Sequence, residues 1–403
     1  MKTVSILLLG LAISLSGCSL HQRQEMEYAH YQDDAAAIRE AHAAWLILSS
    51  PSRSREWPEA RKKYNACIRE LAAHLKEAKR KGGMDEEKRL SLPFVIEKSP
   101  YAKDSNPWFY EAIFMSDEVD PTFRLRESVT VEGMGIPLAG LAPRGGSRPH
   151  ANVLKDNGNV HTLTAILDFD RMVDGKPTLR TIPRLMNEHI FIGKNKVRQP
   201  LAANFSVPIA LFWKLSDADG TELLGAFRPK KAINTMGLYF SEPYDPRKIP
   251  VVFTHGLMSG PATFANLTNR LLVDPVIREN YQFWFFGYPS GLAWTIPASR
   301  QRQALKELMQ EYNPRGTSRE MNNIVMVGHS MGGLSVLGIG AVHGDKIRGI
   351  ISFNGSGDWL MTHLFLQARF GMYMERNWPL YDGIEKKSPI NHVDVLKSIP
   401  IFM

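Results

Sequence analysis

The run Ile324-Val325-Met326-Val327 passes without a break into Gly328-His329-Ser330-Met331-Gly332-Gly333, and the residues from Met331 to His343 then read as a helix. A short apolar strand, a glycine-flanked serine and a helix in direct succession leave little choice of local structure. The serine must sit on a sharp strand-to-helix turn, where glycines let neighbouring backbone approach closely. Such a serine carries strained backbone and holds its hydroxyl at a helix N-terminus, whose free amides and dipole favour an alkoxide or oxyanion. G-x-S-x-G alone also recurs as a tight structural turn. The flanking strand and helix make Ser330 the candidate nucleophile.

The surroundings repeat the same grammar. Ile249 to Thr254, Tyr281 to Phe286, Ile324 to Val327 and Ile347 to Phe353 are short apolar runs, separated by helical stretches near 261–272, 297–312 and 331–343. Strands that are apolar on both faces and separated by helices predict a doubly covered parallel sheet. The first of these strands runs into His255-Gly256-Leu257, so a second glycine turn leaves the same end of the sheet as Ser330.

With these motifs, residues 249–403 resemble an α/β-hydrolase of the lipase/esterase type. The expected architecture is an α/β-hydrolase fold with a mostly parallel sheet, preceded by a helical segment and a β-rich N-terminal region. The resemblance implies an oxyanion hole built from the backbone amides of Leu257 and Met331. Gly328, His329, Gly332 and Gly333 form the elbow, while His255 and Gly256 shape the oxyanion-loop turn. His255 is then structural, because it precedes the serine and the triad order of this fold is Ser, acid, His. Tyr281 to Pro289 fits the fourth strand, and Lys397 to Met403 fits the seventh. The acid and histidine are accordingly expected beyond Met403, which makes the sequence a C-terminally incomplete version of the enzyme. A rival reading keeps the triad inside the chain, with Asp358 as acid and His392 as base.

At the other end, Lys2 and the apolar run Val4 to Leu15 form a stretch too short to span about 30 Å of hydrocarbon, as expected of a signal peptide over residues 1–17. It closes in Leu15-Ser16-Gly17-Cys18, which resembles the lipobox of bacterial lipoproteins and implies acyl chains on Cys18, enough for stable anchoring. Ser19 after that cysteine implies an outer-membrane destination, facing the periplasm.

Between anchor and sheet, Trp57, Ala60, Tyr64, Cys67, Leu71, Leu75 and Ala78 recur at helical spacing, so 18–92 reads as a helical segment with Cys67 a buried structural thiol. Residues 93–203 read as β-rich, with alternation at Phe123, Leu125, Val129 and Val131 and again at Leu163, Ala165, Leu167 and Phe169. Residues 204–403 make the hydrolase domain, opened by a hairpin pairing Val207–Lys214 with Glu222–Phe227 across Asp217-Ala218-Asp219-Gly220. That tetrapeptide lacks the later ligands of a calcium loop and reads as a turn. Net charge is +8, and twelve Lys or Arg against seven Asp or Glu lie between Arg53 and Arg89. On a helix such a run reads as a solvated face, with acidic headgroups the next choice, and no nucleic-acid-reading motif accompanies it.

The sequence therefore predicts a lipid-anchored serine hydrolase that cleaves carboxylic esters through an acyl-enzyme on Ser330, with no metal or organic cofactor. The membrane, through Cys18, and a small-molecule or lipid ester are the implied partners, and nucleic acid is not. The alternative is a non-catalytic envelope lipoprotein that uses a degenerate or truncated hydrolase scaffold for binding.

Overall fold

Asp33 starts the first helix by accepting a hydrogen bond from the Ala36 amide at 2.6 Å, a cap that satisfies one of the free first-turn donors. The helix α1 (Asp34–Leu48) and its neighbour α2 (Trp57–Ala78) pack as a pair, with Ala37, Ala41, Trp45, Tyr64, Cys67 and Leu71 on the buried sides. A short α3 (Glu86–Ser91) follows. The computed structural model describes residues 33–78, 85–97, 110–141, 160–215, 236–240, 242, 244–257, 259–292, 295–353, 393–396 and 399–402.

The strands β1 (Val95–Ile96), β2 (Ala112–Met115), β3 (Thr130–Val131), β4 (Ile136–Leu141), β5 (Val160–Val173) and β6 (Lys176–Pro183) come next, and all but β3 join one sheet in the order β1-β6-β5-β4-β2. Its ladders are antiparallel except for β1 against β6. The helix pair covers one face of this sheet. Tyr64, fully buried, donates its hydroxyl to the Leu167 carbonyl at 2.7 Å and accepts the Leu167 amide at 2.9 Å. The helical and β-rich stretches, which differ so plainly in sequence period, thus share a single core. Many cations of the basic stretch meet carboxylates, among them Arg53 with Glu56, Arg69 with Asp117 and Lys88 with Glu77.

Two of the expected strands are something else. Around Phe123 the chain makes a 3-10 turn, Phe123 itself is exposed, and extended pairing is confined to β3. After β7 (His189–Ile192), β8 (Val197–Pro200) and β9 (Ala203–Asn204), residues Ser206–Leu215 form α4, not the first arm of a hairpin. The Asn204 carboxamide oxygen accepts the amides of Ser206 and Val207, both at 3.0 Å, and thereby caps the helix. An apolar run this short carries no decisive period, so the cap decided it. The proposed second arm and its turn at Asp217–Gly220 lie outside the described residues.

The second sheet contains β10 (Gly237–Phe240), β11 (Ile249–Thr254), β12 (Tyr281–Gly287), β13 (Ile324–His329), β14 (Ile347–Phe353) and β15 (Ile401–Phe402), in the order β10-β12-β11-β13-β14-β15. Only β10 runs antiparallel to its neighbour; the other ladders are parallel. The exchange of β11 and β12 relative to chain order, beside the antiparallel strand, gives this half the α/β-hydrolase fold. Trp284, Phe286, Met326 and Ile350 face a core shared with α7 (Thr295–Tyr312) and α8 (Met331–His343). Phe283, Phe285, Val251 and Phe253 face the opposite core with α4, α5 (Ala265–Leu271) and part of the first sheet. Glu188 binds Arg184 at 2.9 Å and Arg278, on α6 (Pro275–Asn280), at 3.0 Å, and both guanidiniums lie over the Phe205 ring. This cluster ties the two sheets together. Among the described residues no helix is long and apolar enough to cross a membrane.

Candidate active site

Ser330 stands between the last residue of β13 and the first of α8 with φ 55° and ψ −119°, a conformation that side chains rarely adopt. Its amide donates to the Phe353 carbonyl at 2.7 Å, so the end of β14 holds the turn from one side. Glycine closes it from the other. A Cβ on Gly328 would lie 2.3 Å from the Gly332 carbonyl oxygen, and one on Gly332 would lie 2.0 Å from the Thr254 carbonyl oxygen. Both distances are far inside van der Waals contact, so each position admits only hydrogen. Gly332 therefore lets the first turn of α8 press against the end of β11.

The same packing brings the His255-Gly256-Leu257 loop to the serine. A Cβ on Gly256 would stand 2.9 Å from Ser330 Cβ and 3.0 Å from the His329 carbonyl oxygen. Ser330, Met331 and Leu257 are half-buried, at the carboxyl ends of adjacent parallel strands, where open α/β sheets place their ligands. Met331 opens α8, so its amide belongs to the first-turn donors that have no acceptor within the helix.

His255 is fully buried, and its contacts fix both ring nitrogens. Nδ1 donates to the Gly256 carbonyl at 3.0 Å and Nε2 accepts the Tyr288 amide at 3.3 Å. The Tyr288 ring stacks on the imidazole at 4.1 Å, and its hydroxyl donates to the His255 carbonyl at 2.6 Å. Burial pushes the imidazole down to about 4, against which the Nδ1 bond to the Gly256 carbonyl acts only in part, so the ring is neutral at neutral pH. It braces the loop after β11 against the loop after β12. Below it, Gln301 on α7 donates to the Thr254 hydroxyl at 2.8 Å, both side chains fully buried. His329 is half-buried, and its Nδ1 has no hydrogen-bond partner among the described residues.

Tyr288, Gln301 and the Phe353 carbonyl are the parts of this site that sequence reasoning did not identify. Tyr288 follows a strand as any loop aromatic does, and the other two join the site only through packing. Asp358, His392 and Cys18 lie outside the described residues, as do the aromatic residues between 359 and 378.

Over part of its length the chain is similar to known proteins. Residues 306–403 match the prolyl oligopeptidase family. That stretch includes the last residues of α7, the elbow and Ser330 but is less than half of the chain. No curated protein matches. Similar solved structures include a carboxylesterase of Nitrososphaera gargenis, at 16% identity over 40% of this chain and 69% of that one, TM-score 0.22. A lipase-esterase related protein from Clostridium acetobutylicum shares 19% identity over 39% of this chain and 74% of its own, TM-score 0.22. The 2-hydroxy-6-oxo-6-phenylhexa-2,4-dienoate hydrolase from Rhodococcus sp. strain RHA1 shares 16% over 38% and 62%, TM-score 0.21. Likeness at this level carries no argument about the reaction.

Proposed function

We propose that the chain is a serine hydrolase that cleaves carboxylic esters through an acyl-enzyme on Ser330. The observation that carries the reading is a serine at φ 55° on a strand-to-helix turn, with the glycine loop after β11 packed on its Cβ. In this reading Ser330 Oγ attacks the ester carbonyl carbon as its proton passes to a base. The resulting oxyanion takes hydrogen bonds from the amides of Leu257 and Met331. Collapse expels the alcohol, which takes up the proton, and water then hydrolyses the acyl-enzyme to the acid. His255 is not that base, since both of its ring nitrogens are engaged and the ring is enclosed. Asp358 with His392 is an acid–base pair in the right order within this chain.

The family match favours a second reading, hydrolysis of a peptide bond by the same acyl-enzyme chemistry. Parallel assays of p-nitrophenyl butyrate and a proline p-nitroanilide peptide separate the two: the ester reading expects the first to be turned over at least tenfold faster in kcat/KM, and the reverse order would replace it. A fluorophosphonate probe should label Ser330 and nothing in the Ser330→Ala variant. Labelling of another serine, or no labelling at all, would end the proposal and leave a binding scaffold. The envelope anchor belongs to the same reading: the mass of the chain recovered from membranes should begin at an acylated Cys18.

A further inference from the structure

A cavity lies at the opposite end of the second sheet from Ser330. Its walls are Val160 and Thr162 of β5, Phe212 and Trp213 of α4, and Phe283 and Phe285 of β12, with Glu242, Asp245 and Lys248 from the connection between β10 and β11. Lys248 leads into β11 and Tyr281 opens β12, so this is the amino end of the parallel strands, about one strand length, roughly 20 Å, from the elbow. Ligands of the hydrolase reaction gather at the other end. The cavity measures about 40 Å³, space for roughly three waters, or about 90 Å³ of liquid, near the bulk of one aromatic ring.

The charged and amide groups of its wall are engaged with neighbours. Lys248 Nζ donates to the Leu185 and Arg278 carbonyls, and Asp245 binds Arg247 at 2.7 Å. Gln282 donates to the Asp245 and Lys248 carbonyls. The Glu242 carboxyl accepts the Thr162 amide on Oε1 at 2.7 Å, whereas its buried Oε2 has no hydrogen-bond partner among the described residues. A buried oxygen left unmatched is destabilising, and apolar walls with one such convergent group are the composition of a ligand pocket.

We propose that this cavity is a second binding site, which takes an uncharged molecule the size of one ring, bearing one hydroxyl that bonds Glu242 Oε2 while its body packs on Phe212, Trp213, Phe283 and Phe285. Burial raises the Glu242 carboxyl to about 8, so it is protonated at neutral pH and the site has no net charge to offer a cation. Because the walls come from both sheets, an occupant would bridge the β-rich region and the hydrolase half.

Trp213 lines the cavity, so its fluorescence reports occupancy. Titration of the full chain with phenol should give a saturable change, with benzene and tetramethylammonium at least tenfold weaker. Glu242→Gln keeps a neutral hydrogen-bonding group and should bind phenol within about threefold of the parent, while Glu242→Leu should bind at least tenfold more weakly. Thermal melts identify any variant that fails to fold, and the Gln variant with the three probes still decides the question. Ser330→Ala should bind phenol as the parent does, which keeps this test independent of the catalytic proposal. No saturable change with phenol, equal binding of benzene, tighter binding of tetramethylammonium, or unaltered phenol binding by a folded Glu242→Leu would each overturn the inference.

Discussion

At Ser330 the backbone holds a conformation that costs a residue with a side chain about 1–3 kcal/mol. The interactions that enforce it are the Phe353 hydrogen bond and the contacts at Gly256 and Gly332, so the strain is imposed by neighbours. Glycine relieves it. Ser330→Gly should therefore raise unfolding free energy by about 1 kcal/mol in denaturant titration while losing all fluorophosphonate labelling, provided the hydroxyl is the nucleophile. Gly332→Ala should do the opposite. Its methyl would meet the Thr254 and His255 carbonyl oxygens at 2.0 and 2.5 Å, and rigid backbone cannot yield. A loss of about 3 kcal/mol or more in the same titration is expected, and a variant as stable as the parent would show that the α8–β11 contact is looser than described.

Elements are decided by such local contacts summed along a segment. The helix α4 forms where an apolar run follows Asn204, because that carboxamide satisfies two first-turn amides which a strand would have paired elsewhere. Asn204→Ala should cost about 1–2 kcal/mol and weaken the face of the sheet that α4 covers. Hydrogen exchange would detect this as faster exchange across Val207–Phe212, and protection equal to the parent would refute the capping role. The loop after β11 depends in the same way on the imidazole wedged against Tyr288. His255→Phe keeps the ring but removes both hydrogen bonds, so labelling of Ser330 should slow by at least tenfold even in a chain that remains folded.

Across the whole molecule, His255 and Glu242 carry large shifts of opposite sign, and the downward shift of His189 acts in the same direction as that of His255. His255 titrates near 4 in the folded chain against an ordinary 6.5, so the unfolded chain binds the extra proton between these values and stability falls as pH drops through that window. Glu242 titrates near 8 against an ordinary 4.5, so the folded chain holds the extra proton and stability falls as pH rises from 4.5 to 8. Between about 4.5 and 6.5 the two slopes cancel. Above 6.5 only the Glu242 slope remains, worth on the order of 2 kcal/mol up to pH 8 at 1.36 kcal/mol per pH unit. Unfolding titrations should thus show a plateau from these two groups near pH 4.5–6.5 and a decline on the alkaline side, and Glu242→Gln should abolish that decline. A decline of the same size in the Gln variant would assign it to other groups.

Much of the hydrolase half was legible in the residue order, because its signals are local. The runs at 249–254, 324–327 and 347–353 are apolar on both faces, and a strand–G-x-S-x-G–helix succession has one sterically acceptable form, so the strands, the helix from Met331 and the place of Ser330 follow from the chain itself. Where a segment's conformation hung on a partner, the sequence did not decide it. Val207–Lys214 has the same apolar character whether it pairs or winds, and only the Asn204 cap made it α4. The union of the helical and β-rich stretches in one core rests on contacts such as Tyr64 with Leu167, which no periodicity encodes. Tyr288 beneath His255, Gln301 beneath Thr254 and the unmatched oxygen of Glu242 likewise exist only once distant strands lie side by side. Backbone sterics act between neighbours in sequence and can be read there, whereas burial, pKa and hydrogen-bond satisfaction depend on neighbours in space, and the tertiary structure alone supplies those.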